Sequence, residues 1–488
     1  MDILYDVIIV GGGVVGCFIA RALSRYKLRL LLLERESDVC SGASKANTAI
    51  VHAGYDAKPG TLKASLNVAG NRMYDQICAD LDVPFQRCGT YVVALTEEDL
   101  RTLDELYQRG VQNGVTGMRI ISGEEMQRIE PLVNPAVRGA LYAATGGIVD
   151  PFLLTIAAAE SAVVNGVHLR LETEVVDFMR QNGRISGVST NRGQFLSRFV
   201  VNAAGLYADQ LMAKAGLHGF SITPRKGEYY VFDREKSRVR AVLFPCPTPI
   251  SKGILVTPTT HGNTMIGPNA VDLQDKEDLS VTAQGLEEVF SGAQRLVPTL
   301  ERRDVIAVFA GLRAGGNTGD FLIEAAANAP GLINVAGIES PGLTAAPAIA
   351  EFVLDVLREN GLELRKKADY NPIRRSPPRF HELSHQEQAL LIARDARYGR
   401  IVCRCEMVTE GEIVAAIHAP VPARTYDALK RRTRLGAGRC QGGFDTPRVI
   451  HILSRELGVP PTAITKKGPG SEFVARETKD WNDTKAKV

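Results

Sequence analysis

Val7-Ile-Ile-Val-Gly-Gly-Gly-Val-Val-Gly16, continued through a helix-like stretch to Tyr26 and closed by the apolar run Leu28 to Leu33 and Glu34, decides the fold of the first part of this chain. The run Val7 to Val10 is β-branched and suits a buried strand. A glycine turn follows, then helical periodicity from Val14, then a second strand. Together they form a βαβ unit, which specifies an α/β fold with a parallel sheet. Gly11-x-Gly13-x-x-Gly16 sits between strand and helix, where each glycine has a task. The first permits the sharp turn, the second lets the backbone approach a pyrophosphate, and the third lets helix and strand pack closely. The helix start then offers free N–H groups to phosphates, and Glu34 can accept hydrogen bonds from ribose hydroxyls. The pattern specifies a bound dinucleotide.

Farther along, Phe199 to Asn202 and Leu332 to Ala336 read as buried strands that return to this sheet. Between them Glu228 to Phe232, Gly253 to Thr257 and Thr264 to Gly267 alternate like strands of a half-buried antiparallel sheet. A helix from Ala345 to Glu359 ends at Asn360-Gly361. The proline- and arginine-rich stretch Asn371 to Arg379 has no periodicity and marks a boundary.

At 488 residues the chain is long enough for several packed units. A formal charge of +3 is too small to argue for nucleic acid. The local cluster Lys430, Arg431, Arg432, Arg434 reads as a solvated helix face. The N-terminal apolar run lacks the positive flank of a signal peptide, and no segment approaches the roughly 18 continuous apolar residues of a spanning helix, so any membrane contact would be peripheral. Five of the eight cysteines are scattered, while Cys403, Cys405 and Cys440 fall close together. That usage points to a reducing cytoplasm and metal chemistry, not a disulfide framework.

Val201-Asn-Ala-Ala-Gly205, Asp150 after Thr145-Gly-Gly, and Gly337-Ile-Glu-Ser-Pro-Gly-Leu-Thr-Ala-Ala-Pro347 resemble the glycine-oxidase and D-amino-acid-oxidase superfamily of flavoproteins. The resemblance implies FAD held by Gly11, Gly13, Gly16, Glu34, Ser44, Ala204, Gly205, Gly337, Gly342, Leu343 and Thr344. It also implies a helix start at the flavin ring, where its positive end would stabilise the reduced, anionic flavin. The expected architecture is an FAD-binding Rossmann-like domain with an inserted antiparallel-sheet substrate domain, over 1–370. FAD-binding segments would be about 1–80, 145–220 and 305–365, and substrate-sheet segments about 81–144 and 221–304. A linker at 371–397, a small mainly helical domain at 398–460 and a polar tail at 461–488 would complete the chain.

Ser44-Lys-Ala-Asn-Thr-Ala-Ile-Val-His52-Ala-Gly54, Lys252-Gly-Ile-Leu-Val-Thr-Pro258 and Phe309-Ala-Gly-Leu-Arg313 resemble the FAD-dependent glycerol-3-phosphate oxidases and dehydrogenases, with L-2-hydroxyglutarate oxidases next. Oxidising an alcohol by hydride transfer requires a group to take the hydroxyl proton, and a histidine can do so near neutral pH. The resemblance makes His52 that base, Lys252 and Arg313 the receptors of the substrate's anionic end, and Thr48 and Ser340 hydroxyl donors.

Cys403-x-Cys405 and, after a helical stretch, Gly436-Ala-Gly-Arg-Cys440-Gln-Gly-Gly-Phe-Asp445 resemble the domain related to bacterioferritin-associated ferredoxin, which carries a [2Fe-2S] cluster on four cysteines. Here Asp445 stands where the fourth cysteine belongs. Three readings stay open: a cluster with Asp445 as a ligand, a domain that has lost its metal, and zinc on three cysteines and an aspartate.

The expected activity is oxidation of sn-glycerol 3-phosphate to dihydroxyacetone phosphate, electrons leaving to a partner protein or quinone. An L-2-hydroxyglutarate-type dehydrogenase is the rival substrate reading. A non-catalytic flavin and iron–sulfur electron-transfer subunit is the rival of another class, and the His52 block argues against it because a relay needs no base. No cysteine or histidine stands in the Ser340 loop, where some relatives tether the flavin, so the FAD is expected to be dissociable. Acid precipitation should release all yellow colour to the supernatant, and flavin kept in the pellet would refute this.

Overall fold

The computed structural model describes residues 3–236, 239–247 and 253–476. They form two compact units, Met1–Arg35 with Cys40–Arg374, and Glu36–Val39 with Arg375–Val488.

In the first unit the opening motif folds as its sequence dictates. Strand β1 (Leu4–Val10), helix α1 (Val14–Leu23) and strand β2 (Leu30–Leu33) form the expected βαβ unit, with β1 and β2 parallel. Val7, Ile8 and Ile9 are wholly buried, as a strand covered on both faces requires. Helix α1 stops short of Tyr26, where the Ser24 hydroxyl donates back to the Arg21 carbonyl. On the other side of β1 lies Gly193–Asn202, which in turn pairs in parallel with Leu332–Ala336. An antiparallel ribbon, Val175–Gln181 and Arg184–Thr190, extends this eight-stranded sheet at one edge. Helix α1 packs against the helices Pro151–Val164 and Gly342–Glu359.

A nine-stranded sheet is built from Thr90–Ala94, Met118–Ser122, Gly139–Ala143, the five strands between Ile222 and Asp272, and Val305–Gly316. Most of its ladders are antiparallel, but Val242–Pro245 runs parallel to Thr90–Ala94. One boundary needs correction. The sequence reading puts 305–365 wholly with the FAD-binding segments, whereas Val305–Gly316 pairs along its length with Ile222–Phe232 in this second sheet. Its residues alternate between the faces of a half-buried ladder, which is a strand signal that says nothing about which sheet it joins. Phe232, Phe290 and Leu296 anchor the core between this sheet and the helix Ala283–Leu296. A third, three-stranded sheet joins β3 (Ile50–Val51), Gly147–Val149 and Phe85–Gln86.

The second unit holds the hairpin Ile401–Cys403 and Val408–Thr409 and the helices His385–Arg394, Glu410–Ile417, Tyr426–Thr433 and Thr446–Leu457. The helix His385–Arg394, started by a capping box of Ser384 and Glu387, falls in the stretch read as linker. Part of the stretch read as a tail is packed: Ile464 is buried, and Phe473 sets its ring edge-on to Tyr426 at 5.5 Å. Lys466 also pairs with Asp427.

The basic cluster is not a solvated face. Arg431 and Arg432 converge on buried Asp38, Arg432 in bidentate fashion at 2.7 and 2.8 Å and Arg431 at 2.7 Å. Arg434 pairs with Glu406. Burial alone would raise the Asp38 pKa, but the Arg432 and Arg431 guanidiniums outweigh it and hold the carboxyl below its ordinary value. A depressed carboxyl stabilises the fold above its unfolded pKa, and that stability is lost as pH falls through the folded value. Asp38→Ala removes the carboxylate that balances two buried guanidiniums and should destabilise the second unit by about 3–5 kcal/mol near pH 7. Denaturant unfolding measures this, and the deficit should shrink in acid. A variant as stable as the parent at neutral pH would contradict the pairing.

Candidate functional site

The glycine turn brings together segments far apart in sequence. A side-chain carbon on Gly16 would lie 1.9 Å from the Gly11 carbonyl oxygen, and one on Gly11 would lie 2.4 Å from that of Ala203. Gly11 also has φ +111°, which favours glycine. The Ala203–Gly205 corner therefore sits directly on the turn. From another side the Ser44 hydroxyl accepts the Val14 amide at 2.9 Å, at the first residue of α1. Glu34, at the end of β2, accepts the Gly12 amide at 2.6 Å. Gly11, Gly13, Gly16, Glu34, Ser44, Ala204 and Gly205 thus converge on one helix start. The N-cap residue of α1, Gly13, has no side chain to cap it, and beyond the Val14 amide taken by Ser44 the first amides have no carbonyl within the helix to pair with. A side-chain carbon on Gly42 or Gly205 meets nothing within 4 Å, so the flanking loops border open space.

His52 follows β3, and its backbone is fixed on both sides. Its amide donates to the Thr344 hydroxyl at 2.9 Å, and its carbonyl accepts from Asn71 at 2.9 Å. Thr344 is wholly buried and bonds Ile50 as well. The helix α2 (Leu62–Leu81) carries Asn71, and Gly70 beside it lets α2 approach the Thr344 backbone, where a side-chain carbon would come within 2.2 Å. The half-buried imidazole lies 3.5 Å from the Ser340 hydroxyl through Nε2 and 5.9 Å from the Phe244 ring. Ser340 belongs to the loop that begins at Gly337 (φ +64°) and leads into the helix at Gly342, another helix start without a side-chain cap. Tyr74 donates to the Leu343 carbonyl at 2.5 Å and holds this first turn. His52, Ser340, Gly342, Leu343 and Thr344 form one cluster.

Arg313 lies on the second sheet. Opposed pairs Tyr229 with Phe309, Gly227 with Gly311 and Arg225 with Arg313 share one face of that sheet. Tyr229 and Phe309 stack at 4.5 Å. A side-chain carbon on Gly311 would lie 2.2 Å from the Ala46 carbonyl oxygen, so this face meets the loop that carries Thr48 and ends at His52. The guanidinium of Arg313 is half-buried and braced by the Asn269 carbonyl at 2.8 Å. Lys252 lies outside the described residues.

In the second unit the sulfurs of Cys403, Cys405 and Cys440 lie within 4.8 Å of one another. Burial first, and Asp445 and Cys405 among lesser causes, push the Cys403 thiol well up. Burial and the Cys405 contact raise the Cys440 thiol as well. Metal binding by these thiols would release their protons.

Against known proteins, residues 6–356 match the family model described as FAD dependent oxidoreductase, and residues 401–454 match the BFD-like [2Fe-2S] binding domain. The chain belongs to the FAD dependent oxidoreductase family. It is 50% identical over 477 residues to a glycerol 3-phosphate dehydrogenase of Caloramator mitchellensis, covering 98% of this chain and 99% of that one. An L-2-hydroxyglutarate dehydrogenase of Indibacter alkaliphilus is 30% identical, over 72% of this chain and 98% of its own. Among solved structures, the dithionite-reduced L-alpha-glycerophosphate oxidase of Mycoplasma pneumoniae with FAD bound superposes with a TM-score of 0.73 at 33% identity, over 77% of this chain and all of that one.

The residues of this oxidoreductase fit FAD: two helix starts whose own N-cap residues supply no side-chain cap, a glycine turn that no larger residue could occupy, and a carboxylate at the end of β2. Asn71 and Tyr74, which brace His52 and the Gly342 turn, escape sequence reasoning, because asparagine and tyrosine within a helix carry no motif. Thr344 carries a second duty besides the expected one, since it pins the His52 amide. Thr344→Val leaves the buried His52 amide without an acceptor and should cost about 1–3 kcal/mol, read as a lower unfolding midpoint of the FAD-loaded protein. Thr344→Ser should restore most of it, and equal stability of the valine variant would show that the contact carries no weight.

Proposed function

We propose that this enzyme oxidises sn-glycerol 3-phosphate to dihydroxyacetone phosphate. Bound FAD would supply the two-electron acceptor for the hydride from the secondary carbinol carbon. His52 takes the hydroxyl proton as that C–H bond breaks, so the product ketone forms without a free alkoxide. The observation that carries this reading is the pinning of His52 by Thr344 and Asn71, which sets an imidazole beside the Ser340 loop at an uncapped helix start. A base fixed through its own backbone loses little entropy when substrate arrives.

Arg313, on the sheet face toward the Ala46 loop, binds the phosphate, with Lys252 as second cation and Thr48 and Ser340 as hydroxyl donors to substrate or flavin. Half-burial strengthens such a charge-assisted contact over one in open water. The near-full-length similarity to a glycerol 3-phosphate dehydrogenase supports phosphate over a second carboxylate. L-2-hydroxyglutarate, which the same cation and base would accept, is the competing substrate. Electrons would leave to a partner protein or quinone by way of the C-terminal unit, in a cytoplasmic setting. Among the described residues no helix is long and apolar enough to cross a membrane, so contact with a membrane acceptor would be peripheral.

His52→Ala should keep FAD yet slow its reduction by saturating glycerol 3-phosphate by roughly 100-fold or more in rapid mixing. A near-normal rate would move the base elsewhere. Arg313→Ala should weaken substrate binding by about 2–5 kcal/mol, seen as a raised half-saturation concentration with a smaller change in the limiting rate. An unchanged half-saturation would remove Arg313 from the anion site.

A further inference from the structure

A [2Fe-2S] cluster has two irons, each tetrahedral and each needing two protein donors, so its site must present four ligand atoms. The second unit presents three sulfurs on two loops, with Cys403 and Cys405 3.7 Å apart and Cys405 and Cys440 3.2 Å apart. Among the described residues no other cysteine, histidine or acid joins that compact group. A fourth donor for the other corner of an elongated cluster need not lie within the same radius of all three.

Asp445 has the properties of such a donor. It is 1% exposed, and its Oδ1 accepts the Tyr426 hydroxyl at 2.6 Å. Its Oδ2 is buried with no hydrogen-bond partner. A buried carboxylate oxygen left unpaired is costly, and the fold does not leave its other buried acids in that state. Asp38 holds two arginines, Glu406 holds Arg434, and Glu412 closes a capping box with Thr409. No ion pair reaches Asp445 among the described residues. Helix capping does not account for it either: Asp445 stands at the N-cap of Thr446–Leu457, yet its side chain caps no amide. The Tyr426 hydroxyl sits in a slot that only glycine permits, since a side-chain carbon on Gly436 or Gly442 would come within 2.4 or 2.6 Å of it. The loop that carries Cys440 is thus shaped around the phenol that holds Oδ1.

We propose that Oδ2 of Asp445 is the fourth protein ligand of a [2Fe-2S] cluster on Cys403, Cys405 and Cys440, and that Tyr426 is the positioning residue that turns Oδ2 toward it. The inference rests on the similarity of residues 401–454 to a [2Fe-2S] binding domain. An oxygen ligand is harder than a thiolate and donates less covalently to iron, so it favours the oxidised cluster and lowers the potential. The phenol withdraws charge from the carboxylate and partly reverses that effect, as hydrogen bonds around a metal ligand do.

The test uses the full chain, made without oxygen and reconstituted with iron and sulfide, with flavin content as the folding control. Wild type should hold about two irons and two acid-labile sulfides per chain. Asp445→Cys should keep them, shift the visible bands and the electron paramagnetic resonance signal of the reduced cluster, and raise its midpoint potential. Asp445→Ala should lose most of its iron on gel filtration. Tyr426→Phe should keep the iron but lower the potential, which a merely structural role for the phenol would not do. The proposal is overturned if Asp445→Cys and wild type share one spectrum and potential, or if Asp445→Ala retains iron with an unchanged signal. Wild type that takes up only zinc, or neither iron nor sulfide, would overturn the cluster reading as well as the ligand assignment. If Asp445→Cys fails to fold, Tyr426→Phe and Asp445→Ala decide the matter.

Discussion

The close approach of bare backbone at the glycine turn is the constraint on which the rest of the first unit depends. Gly16 against Gly11, and Gly11 against Ala203, are contacts that no side chain could share. They bring the end of β1, the start of α1 and the corner after Asn202 to one point. Once that point is fixed, the N–H groups opening α1 and the carboxylate of Glu34 line one cradle. A single methyl group at Gly16 would force the helix away from the strand and open the cradle.

The substrate side is built differently, by polar pins instead of bare backbone. Thr344 and Asn71 hold His52 from two helices, while the second sheet brings Arg313 toward the loop that ends at His52. His52 and Arg313, the proposed base and anion receptor, therefore sit on separate scaffolds of the first unit. On the proposed roles, such division would let the anion receptor vary while the base and the cofactor cradle stay fixed, which accords with similarity to enzymes named for two different hydroxylated anions.

Much of this was legible in the sequence, because the opening motif is local. Strand, turn, helix and acid lie within 30 consecutive residues, between Tyr5 and Glu34, and their periodicities do not depend on distant partners. The Ser44–His52 and Gly337–Pro347 blocks could be read by resemblance, and the structure brings both to one place. What escaped was long-range. Nothing near Asp38 announces that it will meet Arg431 and Arg432, so a basic run read naturally as a solvated face. The strand Val305–Gly316 alternates as a strand should, yet alternation does not name a sheet. Asn71 and Tyr426 act through hydrogen bonds to residues far away in sequence, and a sequence shows the residue without its partner. The departure at Asp445, by contrast, was visible at once, although only its buried and unpartnered oxygen turns that departure into a chemical role.

The central claim is that a hydroxylated phosphate reduces the bound flavin directly. Anaerobic mixing of the FAD-loaded protein with glycerol 3-phosphate, glycerol and L-2-hydroxyglutarate, followed by the loss of flavin absorbance, tests it with the unmodified chain. The account predicts rapid, complete bleaching by glycerol 3-phosphate and slow or no bleaching by the other two. Equal bleaching by glycerol, or faster bleaching by L-2-hydroxyglutarate, would contradict it.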